Sequence, residues 1–224
     1  MSSWRITLAA ALTLVSSLAW GGGVGLSATR IIFPSTVVHA ALGVRNTATD
    51  TAWLIQSWIE DEKGTRTKDF IITPPLFLMN PKSENILRIL INRHRLPEDR
   101  ESLYWVTVKA IPQMKEEGGS NSLQFAAASR IKLFYRPESL NKEAADAWRK
   151  INFKKEHGKV IVSNSTPFFI TLVNIRLDDK PVPSVMVTPN SSATLSANKG
   201  QTKKVSFQTI NDYGALTDKT TILL

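Results

Sequence analysis

The 224-residue sequence contains no cysteine. That absence excludes disulfides, thiolate metal sites and a cysteine nucleophile. Histidine is scarce too: His39, His94 and His157 stand far apart and at no metal-ligand spacing. The sequence has no GxSxG, HExxH, GxGxxG or P-loop motif. The carboxylates gather in segments such as EDEKG and LPEDRE, which solvated turns explain. With no nucleophile–base pair visible, an enzyme is the least favoured class, and no cofactor or metal is expected. Beyond the first twenty or so residues no apolar run is long enough to cross a bilayer, so stable membrane insertion is not expected.

Hydrophobic residues make up 42% and charged residues 21%, a globular balance that excludes wholesale disorder. The net charge is +9. Its lysines and arginines are spread along the chain without a long run, which fits a solvated basic surface better than a nucleic-acid-binding one. The chain begins with MSSWR, an apolar ITLAAALTLVSSLAW and then GGG. This is the layout of a cleaved signal peptide over residues 1–21, with cleavage after Gly21 and Gly22 as the near alternative. The mature protein is expected to be exported.

Seven β-rich runs follow, separated by turn chemistry: TRIIF, VVHAALGVRN, AWLIQSWIE, FIITPPLFLMNP, NILRILIN, SLYWVTVKAI and LQFAAASRIKLFY. They read as an immunoglobulin-type sandwich over 22–138. ESLNKEAADAWRK is the one clear helical window and gives a linker over 139–152. Further short strands between polar turns, from KVIVSN to GALTDKTTIL, make a second, smaller β-domain over 153–224.

Two features stand out. In SRIKLFYRP (129–137) the cation Lys132 sits inside an apolar, aromatic run, and no nearby carboxylate answers it. Just before it, Leu123, Phe125 and Ala127 alternate with Gln124, Ala126 and Ala128. The residues alone leave two readings of each. The strand is either an ordinary core strand or one that offers its side chains outward. Lys132 either snorkels to solvent or waits for an anion.

The strings ATRIIFP, LIQSWIE, ITPPLF, LPEDRESLYWVTVKAIP, SRIKLFYRP and TINDYGALT occur in that order. Together they resemble the PapD-like periplasmic chaperones of the chaperone–usher pilus pathway, most of all the type 1 fimbrial chaperones. The resemblance implies an all-β fold: two immunoglobulin-like domains in a boomerang with a cleft between them. It implies no catalysis. Its partners would be pilus subunits and an outer-membrane usher, with self-association of the free chaperone left open. Subunits would be held by donor-strand complementation through Leu123, Phe125 and Ala127. Their C-terminal carboxylate would be held by Arg30 and Lys132. Glu101, Arg136 and Asp212 would form an interdomain salt-bridge network that sets the domain angle more than stability. Pro74 would follow a cis peptide bond. The short segment VKAIPQMKEEGGSNSLQF matches the branch with a short loop, which assembles rod-like pili. One departure exists: Thr107 stands where the family usually has Asn, and a hydroxyl replaces only part of an amide's hydrogen bonding. A changed local turn is expected there. The other reading, an exported immunoglobulin-like adhesin or carbohydrate binder, would call for an exposed aromatic platform and no carboxylate anchor.

Overall fold

The computed structural model describes residues 22–92, 96–113, 125–195 and 202–224. Among the described residues the first half contains nine strands: β1 (Val24–Leu26), β2 (Arg30–Pro34), β3 (His39–Asn46), β4 (Trp53–Asp61), β5 (Phe70–Thr73), β6 (Leu76–Met79), β7 (Glu84–Ile91), β8 (Ser102–Pro112) and β9 (Ala127–Arg136). One sheet runs β1-β3-β7-β5 and the other β2-β9-β8-β4-β6. Period-two burial fixes which face of each strand turns inward. In β4 it selects Ile55, Ser57 and Ile59, and in β7 Leu87 and Ile89. The core between the sheets gathers Phe33, Leu42, Ile55, Leu87, Val106 and Leu133.

One run that reads as a single strand is split between the sheets, and a short strand, β1, precedes the first run. FIITPPLFLMNP gives β5, which pairs with β7, and β6, which pairs with β4. The Thr73–Pro74 peptide between them is cis. At the N-terminus β1 pairs with β3, and the chain then crosses to place β2 parallel to β9. Pro74 and Pro75 punctuate the crossing from β5 to β6, where a ladder cannot continue.

A 3-10 helix spans Glu138–Lys150, and Ile151 already opens the next strand. The helix is more than a spacer. Ala147 is part of the second core, and Leu140, Ala144 and Trp148 pack against it. Eight strands follow: β10 (Ile151–Glu156), β11 (Lys159–Asn164), β12 (Ile170–Leu177), β13 (Lys180–Pro181), β14 (Val185–Val187), β15 (Ser191–Leu195), β16 (Lys204–Thr209) and β17 (Thr220–Leu223). They form a second sandwich of two sheets, β10-β11-β15 and β13-β12-β16-β17, with β14 also on β12. Phe153, Val162, Leu172, Ile175 and Phe207 fill it.

Thr107 requires a correction. No turn lies there: it is buried mid-strand in β8, between Trp58 and Arg130 on the flanking strands. The ladder fixes the backbone whatever the side chain is. What the threonine leaves instead is a buried hydroxyl with no hydrogen-bond partner among the described residues.

Candidate functional site

β9 is the strand on which the site is built. Along its whole length it pairs with β8, from Ala127↔Ala110 to Tyr135↔Ser102. On its other side it pairs with β2 only from Lys132 to Arg136. Among the described residues, the edge of 127–131 on that side is therefore free. An unpaired edge is a template for another chain. Ala127 lies on this open stretch and is exposed, and Phe125, just ahead of it, is 75% exposed. Leu123 lies outside the described residues, as do residues 1–21.

The composition of SRIKLFYRP follows from where its two faces go. Leu133 and Tyr135 enter the first core. Phe134 turns to the second domain, where its ring centroid is 5.6 Å from that of Phe169. Arg136 also turns that way, and so does Lys132, whose Nζ donates to Thr171 Oγ1 at 3.4 Å. The end of the strand, Leu133–Arg136, is buried between two bodies, which is why it is apolar on both faces and still carries a cation.

Arg30 is the register partner of Lys132 across the β2–β9 pair. Its Nη1 donates to the carbonyl of Ile210 at 3.2 Å, and its guanidinium lies 5.9 Å from the Phe134 ring. Arg30 Nε is buried without a hydrogen-bond partner among the described residues. Among the described residues no carboxylate lies in ion-pair range of Arg30 or Lys132. Burial lowers the pKa of Lys132, and the neighbouring Arg30 charge lowers it further. Burial also lowers that of Arg30, partly offset by the more distant Asp212 and Glu101. Two half-buried cations thus face each other where the free edge of β9 ends.

Deeper in the junction, Arg136 Nε donates to Glu101 Oε1 at 2.7 Å, and its Nη1 and Nη2 reach Asp212 at 2.6 and 2.8 Å. Glu101 also accepts the amide of Phe169 at 2.9 Å. Burial opposes the Arg136 charge, but Asp212 and Glu101 outweigh it and hold its pKa above the ordinary value. Glu101 shares that one guanidinium with Asp212, so burial wins and its carboxyl titrates above the usual range. Exposed-pair energetics do not describe this network, because Arg136 and Glu101 are both buried. Breaking a buried pair costs far more than breaking an exposed one, so the network bears on stability.

Sequence reasoning did not find Thr171, Phe169 or the carbonyl of Ile210, all contributed by the second domain. TINDYG carried the signal for the last, since Asp212 had already been placed there. Among the described residues no cluster of His, Asp or Glu could hold a metal, and no helix could cross a membrane. A cavity of about 270 Å³ lies at the junction beside Arg30, walled by Ile32, Phe134, Trp148, Ile170 and Tyr213.

The family model for the pili and flagellar-assembly chaperone PapD N-terminal domain matches residues 23–141, and that for the pili assembly chaperone PapD C-terminal domain matches 146–221. The chaperone protein FocC of Escherichia coli is 44% identical over 200 residues, 88% of each chain. The chaperone protein FimC of Escherichia coli K12 is 41% identical over 201 residues, covering 89% of this chain and 83% of FimC. Among solved structures, the periplasmic chaperone SfaE superposes with a TM-score of 0.80 at 41% identity, covering 90% of this chain and all of that one. The SafB chaperone, solved in complex with Salmonella enterica SafA pilin, gives 0.82 at 28% identity, covering 90% and 96%. The chain therefore belongs to the PapD family of pilus-assembly chaperones.

Proposed function

We propose that the chain is a periplasmic chaperone of pilus subunits that lends β9 to an incomplete subunit and delivers it to an outer-membrane usher. The mature protein begins near Gly22 and comprises domains over 22–138 and 153–224 joined by the helical linker 139–152. Leu123, Phe125 and Ala127 enter the subunit groove. Arg30 and Lys132 take the subunit's terminal carboxylate. The observation that carries the reading is the coincidence of two features at Lys132. The free edge of β9 stops there because β2 begins, and two cations with no ion-pair partner among the described residues stand at that point. A strand added along the edge runs out at the cations, so its terminal charge fixes a register that backbone pairing alone leaves open.

The carbohydrate-binding reading needs an open aromatic face. Trp58 and Trp105 do not offer one, since Arg66 lies over Trp58 at 5.2 Å, and Arg130 at 4.3 Å and Lys132 at 5.8 Å over Trp105, while the exposed Phe125 and Tyr213 belong to different domains. The test is amide hydrogen exchange with and without a pilus subunit. Slowed exchange at 127–131 on adding the subunit supports the donor-strand reading; unchanged exchange there removes it.

A further inference from the structure

The turn from Ile210 to Gly214, between β16 and β17, holds the junction in two places and leaves one residue over. The Ile210 carbonyl accepts from Arg30, and Asp212 takes Arg136. Tyr213, between these contacts and Gly214, is 94% exposed.

The turn is stiff. Asn211 Oδ1 accepts from the amides of Tyr213 and Ala215 at 3.0 Å each, and Gly214 N donates to the Asn211 carbonyl at 3.0 Å. Gly214 has a φ of +82°, which an L side chain rarely adopts, and a Cβ on it would run into Thr29 Oγ1. The backbone is thus packed against the residue that precedes Arg30, and Tyr213 is presented from a fixed base. Its ring buries almost nothing in the protein's own fold, so folding does not account for it.

Its surroundings do. Tyr213 lines the junction cavity together with Arg30 and the apolar Ile32, Phe134 and Trp148. We infer that Tyr213 is a further binding residue: its ring packs on the side chains just before the subunit's terminal carboxylate, and the adjacent cavity receives an apolar one. This rests on the reading of Arg30 and Lys132 as the carboxylate anchor. Charge identifies the occupant, since two half-buried cations with no carboxylate in range call for a chain end that carries one. A strand ending at them brings its last side chains past the turn. Tyrosine suits the task because a large amphipathic ring on two torsions loses little entropy when it is covered.

The probe is a synthetic peptide carrying the C-terminal strand of a type 1 pilus subunit, in free-acid and amidated forms, titrated against the whole mature chaperone. The free acid should bind wild type more tightly than the amide. Tyr213→Ala should weaken the free acid roughly tenfold to a hundredfold, Tyr213→Phe should retain most of the affinity, and both should melt like wild type. Replacing the apolar side chain nearest the peptide's terminus with Gly should weaken binding to wild type but add little to Tyr213→Ala. If acid and amide bind wild type equally, the anchor reading fails and this inference falls with it. If the acid is preferred but Tyr213→Ala binds like wild type, or the two losses simply add, the anchor stands and Tyr213 is not a contact.

Discussion

Arg30 and Lys132 lie directly across the parallel β2–β9 pair, half-buried, with no carboxylate of the described residues in ion-pair range of either. Such a pair costs the free protein stability, because each charge is partly desolvated and repels the other. It is favourable only when an anion arrives.

The sign of the pH dependence follows. The folded pKa of Lys132 lies below the ordinary lysine value of 10.5. Between the lowered value and 10.5 the unfolded chain holds more protons, so this group's contribution to stability rises with pH in that window. Subunit affinity moves the other way, since a neutral amine does not hold a carboxylate. Thermal melting and subunit binding across the alkaline range should therefore diverge, and Lys132→Met should remove both slopes. Parallel loss of stability and affinity in wild type, unchanged by Lys132→Met, would contradict the assignment.

The Arg136 network should show two unequal energies. Arg136→Ala leaves Glu101 buried and uncompensated and is expected to cost about 3–5 kcal/mol in urea unfolding. Asp212 is 41% exposed at its side chain, and Asp212→Ala should cost only about 0–1 kcal/mol. Equal costs would mean that Glu101 finds another partner.

Thr107 offers a gain. Its Oγ1 is buried and unpaired, so Thr107→Val keeps the shape and removes the desolvated hydroxyl. A stabilisation of about 1 kcal/mol is expected, read as a higher denaturation midpoint at unchanged slope. A loss of stability would show that the hydroxyl is satisfied in solution.

On the donor strand, Phe125→Ala should leave melting unchanged, because the ring is mostly exposed, while weakening subunit binding by about 1.5–3 kcal/mol. Ala127→Ile tests the fit opposite that position. Each added CH₂ contributes about 0.8 kcal/mol if the groove has room. Tighter binding with slower strand exchange is expected; weaker binding would show that the groove is closed there.

Much of this was legible in the sequence, and the limits have physical causes. Apolar runs between polar turns located the long strands, and alternation marks those, such as β3 and β4, that turn one face to a core. The short strand β1 ahead of TRIIF and the split of FIITPPLFLMNP between two sheets were not legible, since periodicity does not reveal which ladder a strand joins. Glu101, Arg136 and Asp212 could be named together only through the family's strings, as 76 residues separate Arg136 from Asp212. Thr171 and Tyr213 stayed hidden for the same reason. Their relation to Lys132 and Arg30 exists only once the two domains meet, and a lone Thr or Tyr in a β-rich run carries no pattern that announces it.

The central claim is that Arg30 and Lys132 hold a subunit's terminal carboxylate at the end of the β9 edge. The most direct measurement is recovery of a pilus subunit co-expressed in the periplasm with wild type, Arg30→Ala or Lys132→Ala, alongside melting of each purified chaperone. Loss of one partner of a desolvated charge pair is expected to cost roughly 2–5 kcal/mol of binding. Both variants should therefore melt at or slightly above the wild-type temperature and recover almost no subunit. Wild-type recovery by either variant would contradict the claim.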